Sequence, residues 1–241
     1  MSDQNLIHDL LERYAAGQRN FSNTVLRELD LIHLHLSEVD FSRVDLRQSR
    51  LGKSNFSHSR FQEADLSEAI LWGADLTEAD LSRAILRGAD LSGAILAQAQ
   101  LTESNLLKAT LSGANLSQAN LDRALLIEAD LRSGSDRQTN LSHASFKAAN
   151  LSYANLGGAL LYQANLEGAS LYRAVLGLRS PQLLLKTDLT EANLQGADLS
   201  YADLSGAILH RANLLHADLT GTNLNRADLT GATMPNGSVY D

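Results

Sequence analysis

The feature that most constrains this chain is a period of five. From Phe21 to Leu131 every fifth residue is Leu or Phe, 23 in succession without exception. The register returns at Leu141 for 8 positions to Leu176, and a displaced register runs from Leu189 to Met234 for 10. Two places before these central residues stands Ala, Ser or Thr in 36 cases of 41, as in Ala64/Leu66, Ala119/Leu121 and Ala197/Leu199. An α-helix turns about 100° per residue, so a step of five would scatter the Leu all round its cylinder, and helix is excluded for the repeats. In an extended chain, residues two apart share one side. The small residue and the Leu therefore point inward while the Asp or Asn between them points out. Short Asp and Asn side chains bond nearby backbone and favour turns, and the next two residues must turn a corner. Each quintet is one short side of a coil.

With 44% apolar residues but only 5% aromatic, the core of such a coil is thin. Cys is absent, which excludes disulfides, thiolate metal sites and cysteine nucleophiles and fits a reducing compartment. Asp3, His8, Asp9, Glu12 and Arg13 interrupt any signal-like apolar stretch, and no run of about 18 apolar residues occurs. A soluble, cytoplasmic protein is expected. The net charge of -8 argues against a direct grip on nucleic-acid phosphates or anionic membranes.

The A-[DN]-L-x-x pattern, as in ADLSEAILWGADLTEADL at 64–81, resembles the pentapeptide-repeat family over nearly the whole chain. That resemblance implies an all-β fold: a right-handed quadrilateral β-helix, the pentapeptide-repeat solenoid. Four repeats make a coil, and coils stack at about 4.7 to 4.9 Å. Roughly ten coils would make a rod about 50 Å long. Residues 20 apart then sit above one another. Phe21, Phe41 and Phe61 would form an inward aromatic ladder, and Arg43, Glu63, Arg83, Glu103 and Arg123 an outward column of alternating charge.

Open strand edges at both ends need covering. Residues 3–16 place Leu6, Leu10, Leu11 and Tyr14 on one side of a helix, with Asp3 as N-cap and Gly17 as stop, so residues 1–17 are expected to be an N-terminal capping helix. Leu29, Leu34, Val39 and Val44 at the small position suggest a wider interior beneath it. The β-helix is expected over 18–241, ending at Pro235, Asn236 and Gly237 without a helical cap, where self-association is conceivable. Two breaks interrupt it. At about 132–140 the polar run RSGSDRQ reads as a protruding loop that preserves the phase of five. At 177–188, with Pro181 in the middle, the advance exceeds two repeats by three residues and the coil must bulge or break.

No constellation for catalysis emerges, and an interior filled by Leu and Ala leaves no substrate pocket. Gly52, Lys53 and Ser54 imitate the end of a phosphate-binding loop, but Arg47 stands where its first glycine is required. His33 and His35 have no third ligand, and the many Asp suit turns better than acid catalysis. No enzyme, cofactor, metal or small-molecule substrate is expected. Outward apolar residues are the informative ones. On four sides Ile85, Leu107, Leu125 and Ile127 share one side, and Ile70 and Trp72 fall on the adjacent side with Tyr153 and Tyr172 further along. Ile95, Leu160 and Val175 fall on other sides, so ordinary repeat variation is the competing explanation.

Within the family the irregular segments YAAGQRNF, RLGKSNFSH and EADLSEAILWG, the 132–138 interruption and the ending MPNGSVYD resemble the cyanobacterial heterocyst-differentiation pentapeptide-repeat proteins. That resemblance implies a non-enzymatic protein-protein interaction regulator that promotes heterocyst differentiation. It would bind the master differentiation transcription factor and oppose its inhibitory peptide. Two contact maps are open. One is the loop Arg132, Ser133, Gly134, Ser135, Asp136 and Arg137, which resembles the Arg-Gly-Ser-Gly-Arg core of that peptide; otherwise it is a flexible excursion. The other is Ile70 and Trp72 with Leu107 and Ile127. A DNA-mimicking gyrase-protection protein and a plain scaffold rod are the alternatives. Against mimicry, Arg43, Arg47, Arg83, Arg87 and Arg123 interrupt the acidic surface.

Overall fold

A computed structural model describes residues 3–177 and 185–241. Asp3–Ala15 form the single described helix, α1. Up to the first interruption the rest is a ladder of parallel bridges between residues 20 apart: Asp40↔Arg60↔Asp80, Asp45↔Asp65↔Ile85, Arg50↔Ile70↔Asp90 and Asn55↔Asp75↔Ile95. These four columns are the four sides of one coil, and we number them by residue: side 1 contains Asp65, side 2 Ile70, side 3 Asp75 and side 4 Asp80. The side 4 column runs from Asn20 to Thr233.

The quintet has a direct physical basis. In the side Ala64–Leu66, Ala64 and Leu66 are fully buried. The Leu66 amide donates to the Ile85 carbonyl of the next coil at 2.7 Å, and the Asp65 amide to the Val44 carbonyl of the previous one at 2.9 Å. The Asp65 carboxylate accepts from the Ser67 amide at 3.0 Å, and the Ala69 amide closes the corner on the Leu66 carbonyl at 3.0 Å. The second corner residue, here Glu68, takes φ +58°, a left-handed conformation that the corner imposes on many non-glycine residues. The Asp and Asn of the repeat are thus turn residues, as their chemistry suggested.

Packing inside agrees with the Phe ladder: ring centroids lie 5.9 Å apart for Phe21–Phe41 and 5.6 Å for Phe41–Phe61, and Phe56 joins 5.5 Å from Phe61. Leu29, Val39 and Val44 are buried in the same region. At Leu29, Leu34 and Val39 a buried Ser one coil later replaces the corner bond: Ser49 Oγ accepts from the Leu29 amide at 3.2 Å and donates to the Leu26 carbonyl at 2.7 Å, and Ser54 does the same for Leu34 and Leu31, whereas the Val44 amide keeps the ordinary bond to the Phe41 carbonyl at 3.1 Å. Among the described residues no buried side-chain nitrogen or oxygen lacks a partner.

The two ends differ. Helix α1 buries Leu10 and packs Leu6, Ile7, Leu11 and Tyr14 against the core, and the Tyr14 hydroxyl donates to the Ser37 carbonyl at 3.0 Å. It stops at Gly17, φ +94°, where the Gly17 amide bonds Tyr14 and the Gln18 amide bonds Arg13. The Asp3 side chain, expected as N-cap, lies outside the described residues. At the other end the chain turns at 235–237 and folds back, with Val239 pairing antiparallel to Thr233 and the Gly231 amide donating to the Tyr240 carbonyl at 2.7 Å. A short return strand, not a helix, covers that edge.

Candidate functional site

The interruptions set the geometry of the exterior. Asp130 pairs with Asn155, 25 residues on, and Leu160 pairs with Asp188, 28 on. The first break is therefore a corner carrying five extra residues, and the second is a corner carrying eight. Both depart from side 2 and return on side 3, so both insertions leave the rod at one and the same corner. Pro181 lies outside the described residues, while Gly177 and Leu185 belong to the walls where the second insertion leaves and returns.

The five extra residues displace every later side assignment made on a uniform spacing of 20. Tyr153 and Tyr172 do not lie beyond Trp72. They continue the corner of Leu107 and Ile127, because Ile127 aligns with Ser152 and Tyr172, and Glu128 with Tyr153. There Tyr153, Tyr172 and Tyr201 stack edge to face at 5.6 and 5.9 Å, and the Arg173 guanidinium lies 5.4 and 5.7 Å from the Tyr172 and Tyr201 rings. Val175 is not on another side but stands in the same column as Ile70. Ile85 and Leu125 point out from side 1 at 39% and 44% exposure.

With the register corrected, the two contact maps border one surface. Leu107 and Ile127, both half-buried, form the corner that enters side 2; Ile70 lies on side 2; Trp72 and residues 132–137 occupy the corner that leaves it. Trp72 is 37% exposed and lies over Gly52, where an added Cβ would stand 2.7 Å from the indole Nε1. The Lys53 ammonium sits 4.7 Å from the indole centroid. The Gly-Lys pair that imitates a phosphate loop is thus the seat of the chain's one Trp.

The 132–138 loop is fastened rather than loose. Arg132 is clamped to Asp130 by two forked bonds, Nε to Oδ1 at 2.9 Å and the terminal nitrogen to Oδ2 at 2.6 Å. The Ser133 amide donates to the Gly157 carbonyl at 3.1 Å. The Ser133 hydroxyl and the Gln138 side-chain amide both donate to the Gly158 carbonyl, at 2.7 and 2.9 Å. A Gly134 amide to Arg137 carbonyl bond of 2.9 Å closes the tip, leaving Ser135, Asp136 and Arg137 exposed. Underneath, the buried Thr139 hydroxyl accepts from the Gly113 amide at 2.8 Å and donates to the Arg132 carbonyl at 2.6 Å. Between the two insertions runs a cleft of about 400 Å³, with Ser133 and Gly134 in one wall, Leu185 and Gly177 in the other, and Asn155 and Gly157 in its floor.

The rest of the exterior is charge pairing along the rod itself. Arg83 lies 3.9 Å from Glu63 and 3.1 Å from Glu103, and Arg123 lies 3.4 Å from Glu103. The Arg83 guanidinium, with Arg123, holds the Glu103 carboxyl below its ordinary value. On side 1 the Arg47 hydrogen bond outweighs the effect of burial and, with Arg27, lowers Asp45 to about 2. His33 and His35 are both exposed, and among the described residues no group of three or more His, Asp or Glu gathers as a metal site. No described helix is long and apolar enough to cross a membrane.

Comparison with known proteins decides the family. The model of pentapeptide repeats matches in 8 copies spanning 20–58, 59–96, 94–132, 139–177, 187–226 and 197–236. The chain belongs to the pentapeptide-repeat family. Its fold is the family's right-handed β-helix. Among solved structures it is similar to HetL, a pentapeptide repeat protein involved in heterocyst differentiation regulation from the cyanobacterium Nostoc sp. strain PCC 7120. The two share 56% identity over 97% of this chain and 98% of that one, with a TM-score of 0.95. QnrB1, a plasmid-mediated fluoroquinolone resistance protein, matches at 18% identity over 86% of this chain and 89% of that one, with a TM-score of 0.37. Rfr23 from the cyanobacterium Cyanothece 51142 matches at 27% over 58% and 92%, with a TM-score of 0.21. Similarity at those two levels carries no functional argument. No curated protein sequence matches.

Thr139, Thr187, Gly158 and Leu185 are residues of this corner that sequence reasoning passed over. Their signal was a Thr in place of Ala in the first quintet after each interruption, Thr139-Asn140-Leu141 and Thr187-Asp188-Leu189.

Proposed function

We propose that this chain is a non-enzymatic, cytoplasmic regulator that promotes heterocyst differentiation by binding the master differentiation transcription factor. By occupying the receptor of the inhibitory peptide, it would keep that peptide from acting. The observation that carries this reading is the fastened Arg132–Arg137 tip, displayed beside side 2 on a chain 56% identical to HetL across nearly its full length. A tip held by its own rod loses little conformational freedom on binding, which favours a chain-borne segment over a free, disordered peptide of similar composition. Side 2 and its two corners add Trp72, Tyr153 and Tyr172, residues of the type that anchor interfaces.

Gyrase protection by DNA mimicry is less well supported. A mimic needs free carboxylates in phosphate-like rows, whereas Asp65, Asp75, Asp80 and Asp90 each accept an amide of their own corner, and Arg83 and Arg123 alternate with Glu63 and Glu103. The test is competition: the purified chain is titrated into the transcription factor carrying labelled inhibitory peptide. Displacement by the parent chain, and at least tenfold weaker displacement by the chain lacking residues 133–137, is the expected result. Equal displacement by both removes the loop from the site, and inhibition of gyrase supercoiling without displacement replaces the reading altogether.

A further inference from the structure

The two insertions are far apart in sequence, one beginning after Leu131 and the other after Leu176, yet the backbone of a single residue joins them. The Gly158 carbonyl receives the Ser133 hydroxyl and the Gln138 side-chain amide of the first insertion. The Gly158 amide donates to the Thr187 hydroxyl at the return of the second, at 2.9 Å. The buried Thr187 hydroxyl in turn donates to the Leu176 carbonyl, where the second insertion departs. Thr187 therefore repeats at the second insertion what Thr139 does at the first, one accepting from Gly158 and the other from Gly113. Space is as restricted as bonding. A Cβ on Gly158 would lie 2.6 Å from Ser133 Oγ and 3.2 Å from the Leu185 carbonyl, and its φ of +77° favours glycine. No larger residue fits between the two insertions without moving one of them.

We propose that the first insertion and the Leu185–Thr187 return of the second are coupled through the backbone of Gly158, so that Gly158 and Thr187 are positioning residues for the 132–137 tip. Thr187 then helps to hold the tip in the form that the partner meets, and only this binding consequence rests on the functional reading above. Glycine is the residue whose backbone turns most freely, so the bond at its amide and the two at its carbonyl fix its dihedral angles between them. Loss of the Thr187 bond at the amide frees the carbonyl to turn, and the Ser133 and Gln138 bonds loosen with it.

Hydrogen exchange on the full chain tests the coupling without any partner, using Thr187→Val, Thr187→Ser and Gly158→Ala. In Thr187→Val and Gly158→Ala the amides of 133–138 are expected to exchange at least tenfold faster while those of 64–111 are unchanged; Thr187→Ser, which keeps the hydroxyl, restores the parent rate. Faster exchange confined to the neighbourhood of Thr187, with 133–138 unchanged, overturns the coupling. The second arm measures affinity for the transcription factor. A tenfold loss in Thr187→Val, recovered in Thr187→Ser, supports Thr187 as a positioning residue for the tip. Accelerated exchange at 133–138 with unchanged affinity preserves the coupling and rejects its part in binding. If neither the parent chain nor any variant binds the factor, the functional reading fails and the exchange result still decides the coupling.

Discussion

The stretch from Ala64 to Leu131 and the stretch from Leu131 to Leu189 have much the same interior and different exteriors. In both, Leu and Ala are buried and each central amide meets the next coil at about 2.7 Å, for instance Leu91 to Thr110 in the first and Leu161 to Asp188 near the end of the second. In the first, four corners are short and alike. In the second, a single corner twice carries additional chain while the other three continue unchanged. The lesson is that the core fixes only where a side begins and ends, so that a corner can be lengthened without disturbing what lies inside. Recognition can be written there with little effect on the rod.

The sharpest way to break this comparison is to perturb each layer separately. Leu91→Ala, in the uninterrupted stretch, opens a cavity in a fully buried position and is expected to cost about 2–5 kcal/mol in urea unfolding. Removing 133–137 joins Arg132 to Gln138 and restores a regular quintet from Leu131 to Leu141. That deletion is expected to stay within about 1 kcal/mol of the parent, the size of ordinary surface changes. If the deletion costs as much as the cavity, the loop is part of the core's support and the division between layers is wrong. Next in size is Thr139→Val, which strips a buried hydroxyl from the Gly113 amide and the Arg132 carbonyl and should cost about 1–3 kcal/mol. Limited proteolysis should then cut within 132–138 faster than elsewhere.

Smaller effects sharpen the exterior alone. Asp45 sits between Arg27 and Arg47, and its carboxyl is lowered from 3.8 to about 2. A lowered folded-state pKa contributes stability above the unfolded value, and that contribution is lost as the pH falls toward the folded one. The stability difference between the parent and Asp45→Asn is therefore expected to be constant near neutrality and to shrink between pH 3.8 and about 2. A difference that grows on acidification contradicts the ion pairing. Smallest is Gly52→Ala, which should leave stability almost unchanged yet push the indole off its seat. Because Trp72 is the chain's one Trp, its emission reports this directly as a shift to longer wavelength. An unshifted spectrum means that the indole does not lie on Gly52.

Most of the fold was legible because a period of five excludes helix and makes each quintet one side of a coil, while the resemblance to the pentapeptide-repeat family supplied four right-handed sides; the Phe ladder and the Arg83–Glu103 column appear as the spacing of 20 required. The amount of chain that each interruption uses was not legible. Ten residues from Leu131 to Leu141 preserve the phase of five whether they form two sides or one side with a lengthened corner, and periodicity does not separate these. Counting the loop's ten residues as two sides of advance misplaced Tyr153, Tyr172 and Val175. The fastening of the loop was hidden for a similar reason. Gly134 and Ser135 read locally as freedom, whereas the loop's order comes from Thr139, Gly157 and Gly158, which the coil brings there from other quintets. At the C-terminus the return of Val239 onto Thr233 depends on a turn at Pro235–Gly237, and those turn residues mark an ending without indicating a return strand.

The proposed recognition surface is side 2 and its two corners. A hydrogen-exchange footprint of the chain bound to the transcription factor tests this most directly. Slowed exchange at 132–138 and along the corner of Trp72, with the amides of side 4, such as Asp80 and Gln100, unaffected, is the expected result. Slowed exchange centred on side 4, with 132–138 exchanging as in the free chain, would contradict it.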